Sequence, residues 1–311
     1  MAQKISIVVP CYNEEGCINI YYESMKVIMN QMNKVDFEII FVDDGSKDRT
    51  CEIIKELSRK DKIIKYISFS RNFGKEAAMY AGLQAATGDF VGLMDVDMQD
   101  PPELLLEMYK GITEEGYDCV GCRRVDRKGE PKLRSWFARK FYKLINKMSD
   151  ANIVDGARDY RLMTRKMTNA ILSMAEVDRF SKGIFGWVGF KTKWLEYNNI
   201  DRVAGTTKWN FKKLAKYAIG GIEDFSTVPL KINIFISLLL GVGALGLFVA
   251  DIVLWCLGMS PSVFMTISPL VCFVGSLVML GMAITSDYIA KIFRQTKNRP
   301  IYIVKESSFE K

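Results

Sequence analysis

The chain contains no histidine. That absence removes the commonest general base, every Ser-His or Cys-His nucleophile pair, and the imidazole ligands of zinc. Among seven cysteines there is one metal-like spacing, Cys119-Val-Gly-Cys122, but no second pair to complete a site. In a reducing compartment the cysteines read as small apolar residues rather than disulfides. No cleavable signal peptide is expected either, since residues 1–10 read as a strand with no basic region leading into a long apolar segment.

Long apolar runs are missing until the last third of the chain. There, residues 232–257 and 263–284 are each long enough to cross a bilayer core of about 30 Å, which takes roughly 20 helical residues. Asp251 is the one charge inside them, and neither run has a polar face. Lys212, Lys213, Lys216 and Lys231 precede the first run, and Lys291, Arg294, Lys297 and Arg299 follow the second. The link 258–262 carries no basic residue, so both ends are expected in the cytoplasm with a short outside loop. A net charge of +7 beside two spans points to anionic lipid rather than nucleic acid as the partner. The expected division is a cytoplasmic catalytic domain over 1–225, two transmembrane helices within 226–288 and a cytoplasmic tail over 289–311.

Ahead of the spans, apolar β-branched segments at 5–9, 37–42, 63–69 and 90–94 alternate with helical patterns at 14–32, 48–60 and 75–86. This alternation predicts a parallel, three-layer α/β sheet whose ligands bind beyond the carboxyl ends of the strands. The polar motifs lie there. Pro10-Cys-Tyr-Asn-Glu-Glu15 follows the first strand, Asp43-Asp-Gly-Ser46 the second, and the cationic turn Ser70-Arg-Asn-Phe-Gly-Lys75 the third. Asp95-Val-Asp-Met-Gln-Asp-Pro101 follows the fourth. In an extended strand Asp95, Asp97 and Gln99 share one face, which suits a hard divalent cation that completes its shell with substrate phosphates. The plain alternative is a solvated acidic turn.

Taken together, these residues resemble family-2 glycosyltransferases of the GT-A (Rossmann-like) fold, in the polyprenyl-phosphate branch that includes bactoprenol glucosyltransferases and dolichol-phosphate mannose synthases. The four motifs are joined by Arg158-Asp-Tyr-Arg-Leu-Met163, Gly186-Trp-Val-Gly-Phe190, Gly205-Thr-Thr-Lys-Trp209, the two spans and Arg299-Pro-Ile-Tyr302. The resemblance implies inverting transfer of a single sugar from a nucleotide-sugar to a membrane polyprenyl phosphate. UDP-glucose is the favoured donor, with UDP-N-acetylglucosamine, GDP-mannose or another donor as alternatives.

It further implies that Pro10, Tyr12, Glu14, Asp43, Asp44, Arg71, Lys75 and Asp95 bind the nucleotide, and that Asp95, Asp97 and Gln99 hold Mg²⁺ or Mn²⁺. Asp97 and Asp159 are the expected catalytic residues. A phosphate monoester has a second pKa near 6, so the acceptor is largely charged at neutral pH and Asp159 is expected to orient more than to deprotonate. The alternative for Asp159 is an ordinary ion pair with Arg158 or Arg161. Arg123, Arg134, Arg202 and Lys208 are the expected acceptor-phosphate contacts.

Two aromatic and basic helices, 133–148 and 209–222, are expected on the bilayer surface or against the catalytic domain. A short strand at 299–304 is expected to pair with another subunit in a homo-oligomer, with a tetramer as one form. Two other readings compete with this one. A processive polysaccharide synthase would carry a Gln-x-x-Arg-Trp motif, which the chain lacks. A catalytically silent nucleotide-sugar-binding membrane protein would not need Asp95, Asp97, Asp159 and Arg202 intact.

Overall fold

In the computed structural model of the chain, the alternating first part becomes β1 (Gln3–Cys11), α1 (Ile18–Gln31), β2 (Val35–Asp43), α2 (Thr50–Lys60), β3 (Ile64–Phe69), α3 (Lys75–Ala85) and β4 (Phe90–Leu93). Then come α4 (Leu104–Thr113), β5 (Cys119–Arg124), β6 (Ala157–Thr164), α5 (Arg165–Leu172), α6 (Ser181–Trp187), β7 (Thr192–Tyr197), α7 (Val263–Thr296) and β8 (Val304–Ser307). The structure describes residues 3–125, 154, 156–174, 176–198 and 263–309, with scattered positions between 235 and 256.

One eight-stranded sheet runs in the order β7-β5-β6-β4-β1-β2-β3-β8. Strands β1 to β4 are mutually parallel, as the alternation predicts. The flanks are not: β6 runs antiparallel to β4 and β5, and β8 antiparallel to β3, so the sheet is mixed rather than parallel. The reason is the point of entry. Arg161 of β6 lies opposite Leu93, and Val304 of β8 opposite Phe69, so both strands enter the sheet at its carboxyl edge and can only run backwards.

The expected tail strand at 299–304 lies instead at Val304–Ser307 and pairs antiparallel with β3 at the edge of the sheet. The second expected span, 263–284, falls within helix α7, which extends to Thr296. Its segment Phe273–Thr296 is long and apolar enough to cross a membrane, the one such helix among the described residues. The first expected span, 232–257, is described only at scattered positions, which are helical. The surface helices 133–148 and 209–222, with Arg134, Arg202 and Lys208, lie outside the described residues.

Successive side chains of the central strands feed two cores. Ile5, Ile7, Val9, Ile39 and Phe41 pack with Tyr21, Met25, Leu105 and Met108 on one face. Val8, Ile40 and Val42 pack with Ala77, Ala78, Met163, Met167 and Ile184 on the other. At about 1.5–3 kcal/mol for each fully buried Ile or Phe, these two faces fix the carboxyl edge that carries the polar loops. Gly82 lets α3 seat directly on β1, since a Cβ there would lie 2.1 Å from Val8 Cγ1. Cys119 and Cys122 are buried on β5, where burial pushes both thiols up, as expected of core residues rather than metal ligands.

Candidate active site

Pro10 and Cys11 pair with Val42 and Asp43, so the loops after β1 and β2 leave the sheet side by side. They are stitched together. The Asn13 N–H donates to Ser46 Oγ at 2.9 Å, Lys47 N–H to Asn13 Oδ1 at 2.8 Å, and Glu14 N–H to Thr50 Oγ1 at 2.8 Å. Asn13 takes the left-handed conformation this requires, with φ of 53°, which asparagine tolerates better than most residues. Pro10, Tyr12 and Glu14 are thereby held, partly buried, against the second loop.

Asp43 ends β2 and accepts from Ser46 N–H at 3.0 Å and from the Ser68 hydroxyl at 2.8 Å. Asp44 reaches the third loop instead, accepting from Phe73 N–H at 2.6 Å and Gly74 N–H at 2.9 Å. Burial, with Asp43 adding to it, pushes the Asp44 carboxyl up to about 6 against those two N–H donors and Arg71. Between the loops sits Gly45, at φ of +68°, where a Cβ would fall 2.4 Å from the backbone carbon of Arg71. Only glycine allows that contact. Arg71 itself is exposed and lays its guanidinium 4.0 Å from the Phe73 ring centroid.

Lys75, the first residue of α3, is the centre of the site. Its ammonium lies 2.7 Å from Asp95 Oδ1 and 2.6 Å from Asp159 Oδ2, joining the loop after β4 to β6. Burial disfavours the lysine charge, but Asp159 and Asp95 outweigh it and raise its pKa. Burial likewise works to raise Asp159, and Lys75 and Lys182 more than offset it, holding that carboxyl well below the usual range. Lys75, expected at the nucleotide, thus lies beside Asp95, expected there too, and also holds Asp159.

The expected arginine partners of Asp159 are committed elsewhere. Arg158 Nε donates to the buried Asp100 at 3.1 Å, where the Tyr197 hydroxyl also donates. Arg161 donates to the backbone carbonyls of Arg158 at 2.8 Å and Asp159 at 3.2 Å, and its guanidinium stacks 3.7 Å from the Phe185 centroid. Asp95 and Asp97 do not lie on an extended strand. β4 stops at Leu93, and a turn brings the acids round, with Met98 at φ of 58° and Gln99 N–H donating to Asp97 Oδ1 at 3.2 Å. Asp97 is buried, whereas Asp95 is partly open.

Three features were not read from the sequence. Glu76 accepts from both the N–H and the hydroxyl of Ser181, and burial together with Asp159 pushes it up to about 7. Its place beside Lys75 in the first turn of a helix reads as simple dipole compensation, which hid it. Asp100, Arg158 and Tyr197 tie the acidic loop to β6 and β7, and the last acid of the Asp95 motif was the available signal. Arg161 and Lys182, with Phe185, Phe190 and Trp194, line an open cavity of about 210 Å³. Arg123, expected at the acceptor phosphate, pairs with Glu196 on β7.

Several known proteins share this arrangement of sequence. The model for glycosyl transferase family 2 matches residues 6–172, which include Asp43, Asp44, Lys75, Asp95, Asp97 and Asp159. The prophage bactoprenol glucosyl transferase homolog of Escherichia coli (strain K12) is 39% identical over 97% of this chain and 98% of its own length. The SfII prophage-derived bactoprenol glucosyl transferase of Shigella flexneri is 38% identical over 98% of each. The uncharacterized glycosyltransferase YkcC of Bacillus subtilis (strain 168) is 40% identical over 97% of this chain and 93% of its own length. Among solved structures, the mannosyltransferase PcManGT from Pyrobaculum calidifontis, in complex with GDP-Man and Mn²⁺, shares the fold. It has a TM-score of 0.50 and 18% identity over 71% of this chain and 63% of that one. A GT-A sheet with its loops gathered at the carboxyl edge, matched by the family model and by relatives aligned over nearly their whole length, means that the chain belongs to glycosyl transferase family 2.

Proposed function

We propose that the protein transfers one glucose from UDP-glucose to a polyprenyl phosphate at the cytoplasmic face of a membrane, inverting the anomeric centre. The observation that carries this reading is the shared ammonium of Lys75, which sets Asp159 against the Asp95 motif at the edge where three loops meet. The two relatives named bactoprenol glucosyl transferases support both the sugar and the lipid. Helix α7 supports residence in a membrane, with the unburied segment Phe273–Thr296 as one of two spans.

In the reaction, an acceptor phosphate oxygen attacks the anomeric carbon as the bond to the diphosphate oxygen breaks. The nucleoside diphosphate leaves with the electron pair. Pro10, Tyr12, Glu14, Asp43 and Asp44 hold the nucleoside. Arg71 is placed for the diphosphate. Asp159, kept ionised by Lys75 and Lys182, is a weak base, so its role is to orient the sugar or acceptor while the phosphate supplies its own charge.

Asp95, Asp97 and Gln99 fit a divalent cation. An ammonium already sits on Asp95, and two carboxylates with an amide leave positions for diphosphate oxygens and water. Mg²⁺ or Mn²⁺ held by these residues would supply charge neutralisation to the leaving diphosphate.

The test is transfer by the purified full chain from radiolabelled nucleotide-sugars to undecaprenyl phosphate, with and without Mg²⁺ or Mn²⁺. Label from UDP-glucose is expected in the organic phase only with metal. Label from a different donor refutes the glucose assignment, and nucleotide-sugar binding with no transfer to any lipid phosphate refutes the enzyme reading.

A further inference from the structure

After α7 the chain returns to the catalytic sheet, and its contacts converge on the loop 70–75. Ser70 N–H donates to the Ile303 carbonyl at 3.0 Å, carrying the β3–β8 ladder beyond the strand and into that loop. Beside it, the Tyr302 ring stacks on Phe69, with centroids 4.9 Å apart and planes at 19°. Phe69 meets Phe73 edge-on at 5.7 Å, and Phe73 carries the Arg71 guanidinium on its face at 4.0 Å. The Tyr302 hydroxyl donates to Gln84 Oε1 at 2.8 Å, on the helix that begins with Lys75. One side chain thus braces the end of β3, the loop after it and the helix that follows.

We propose that Tyr302 is a positioning residue for the nucleotide-sugar, so that the segment following the membrane helix sets how tightly the donor is held; this rests on the donor site assigned above. Tyr302 touches no predicted donor contact itself. It acts through Phe69 and Phe73, whose neighbours Arg71 and Lys75 face the site, and through the loop whose Phe73 and Gly74 N–H groups engage Asp44. Strand β8 is secured independently. Lys55 pairs with Glu306 at 2.5 Å, and Ser308 exchanges hydrogen bonds with the backbone of Tyr66 at 2.8 and 3.0 Å. Removing the ring therefore loosens the loop without detaching the strand.

The experiment compares Tyr302→Ala and Tyr302→Phe in the full-length protein. Loss of the ring is expected to raise KM for the nucleotide-sugar about fivefold to tenfold, with kcat and KM for polyprenyl phosphate within about twofold. Tyr302→Phe keeps the stack and should restore a donor KM near wild type. An unchanged donor KM in Tyr302→Ala, or an equal rise in both KM values, overturns the proposal. Should that variant fail to fold, hydrogen exchange on the wild type decides. Saturating nucleotide-sugar should protect the amides of 302–304 together with those of 70–74, and protection of the loop alone overturns the proposal. Wild-type protein that binds no nucleotide-sugar would refute the donor site as well, whereas normal wild-type binding with an unaffected Tyr302→Ala refutes this inference alone.

Discussion

The sheet holds one buried carboxylate toward its amino end and a pair of carboxylates at its carboxyl end, and the two are built differently. At the amino end Glu38 is buried and accepts from Lys4 Nζ at 2.8 Å, Ser6 Oγ at 2.5 Å, Thr87 N–H at 2.7 Å and Thr87 Oγ1 at 2.8 Å. Burial alone would raise its pKa, but those donors lower it. At the carboxyl end Asp95 and Asp159 divide a single lysine that is itself 38% exposed. A carboxylate surrounded by donors supplied by its own fold has little left to offer a ligand. Two acids dividing one partly exposed cation keep acceptor capacity for a further ligand, and that is the difference between a structural knot and a candidate site.

Four substitutions break that comparison, in decreasing order of their effect on transfer. Asp97→Asn removes a carboxylate from the acidic turn and should cut sugar transfer about a thousandfold while the melting temperature changes little. Transfer near the wild-type rate would remove Asp97 from the chemistry.

Lys75→Met leaves Asp95 and Asp159 facing each other without their cation. Transfer should fall about tenfold to a hundredfold. Stability should drop by about 1–2 kcal/mol in denaturant titration, less than for a fully buried pair because the lysine is partly exposed. Without the lysine the Asp159 pKa should move up toward the ordinary carboxylate range, read as a shift in its carboxyl titration by NMR. An unmoved titration would mean that Asp159 does not feel Lys75.

Asp44→Asn keeps an acceptor for Phe73 and Gly74 and should change transfer at neutral pH only a few-fold. Its signature is in stability. The Asp44 pKa is raised to about 6 in the fold, so between the ordinary carboxylate value and 6 the native state holds a proton that the unfolded chain has lost. Wild-type stability from this group falls as pH rises through that window, and the variant should show no such fall in melting temperature.

Glu38→Gln has the smallest expected effect on transfer, none, but should cost about 1–2 kcal/mol of stability at neutral pH. Because the folded pKa of Glu38 is lowered, its contribution is present above the ordinary carboxylate pKa and disappears as pH falls through the folded value. The stability gap between wild type and variant should therefore close in acid. A change in donor KM from this substitution would dissolve the distinction between the two ends.

The parts of the site legible in the sequence were those set by strand endings. Strands β1 to β4 are apolar on both faces, so their ends are visible and Asp43, Asp44 and the Asp95 motif fall beyond them. β5 and β6 carry no clear strand signal, because Gly121, Arg123, Arg124, Arg158 and Arg161 dilute their apolar pattern. The pairing of Lys75 with acids 20 and 84 residues away depends on which strands become neighbours, and periodicity carries no such information. The same holds for β8. A short strand was readable after the spans, but its partner was decided by the edge of the sheet at which the chain re-enters.

The link between α7 and β8 also fixes a distance. Residues 297–303 separate Thr296 from Val304, a stretch that spans at most about 30 Å when fully extended. With α7 spanning a bilayer, as proposed above, a catalytic sheet on so short a leash would sample only a thin layer above it. A lipid phosphate confined to that surface is met at a high local concentration, set by the leash and by lateral diffusion rather than by affinity in bulk solution. The turnover of such an enzyme should follow the mole fraction of acceptor in the membrane, not its total amount in the vessel.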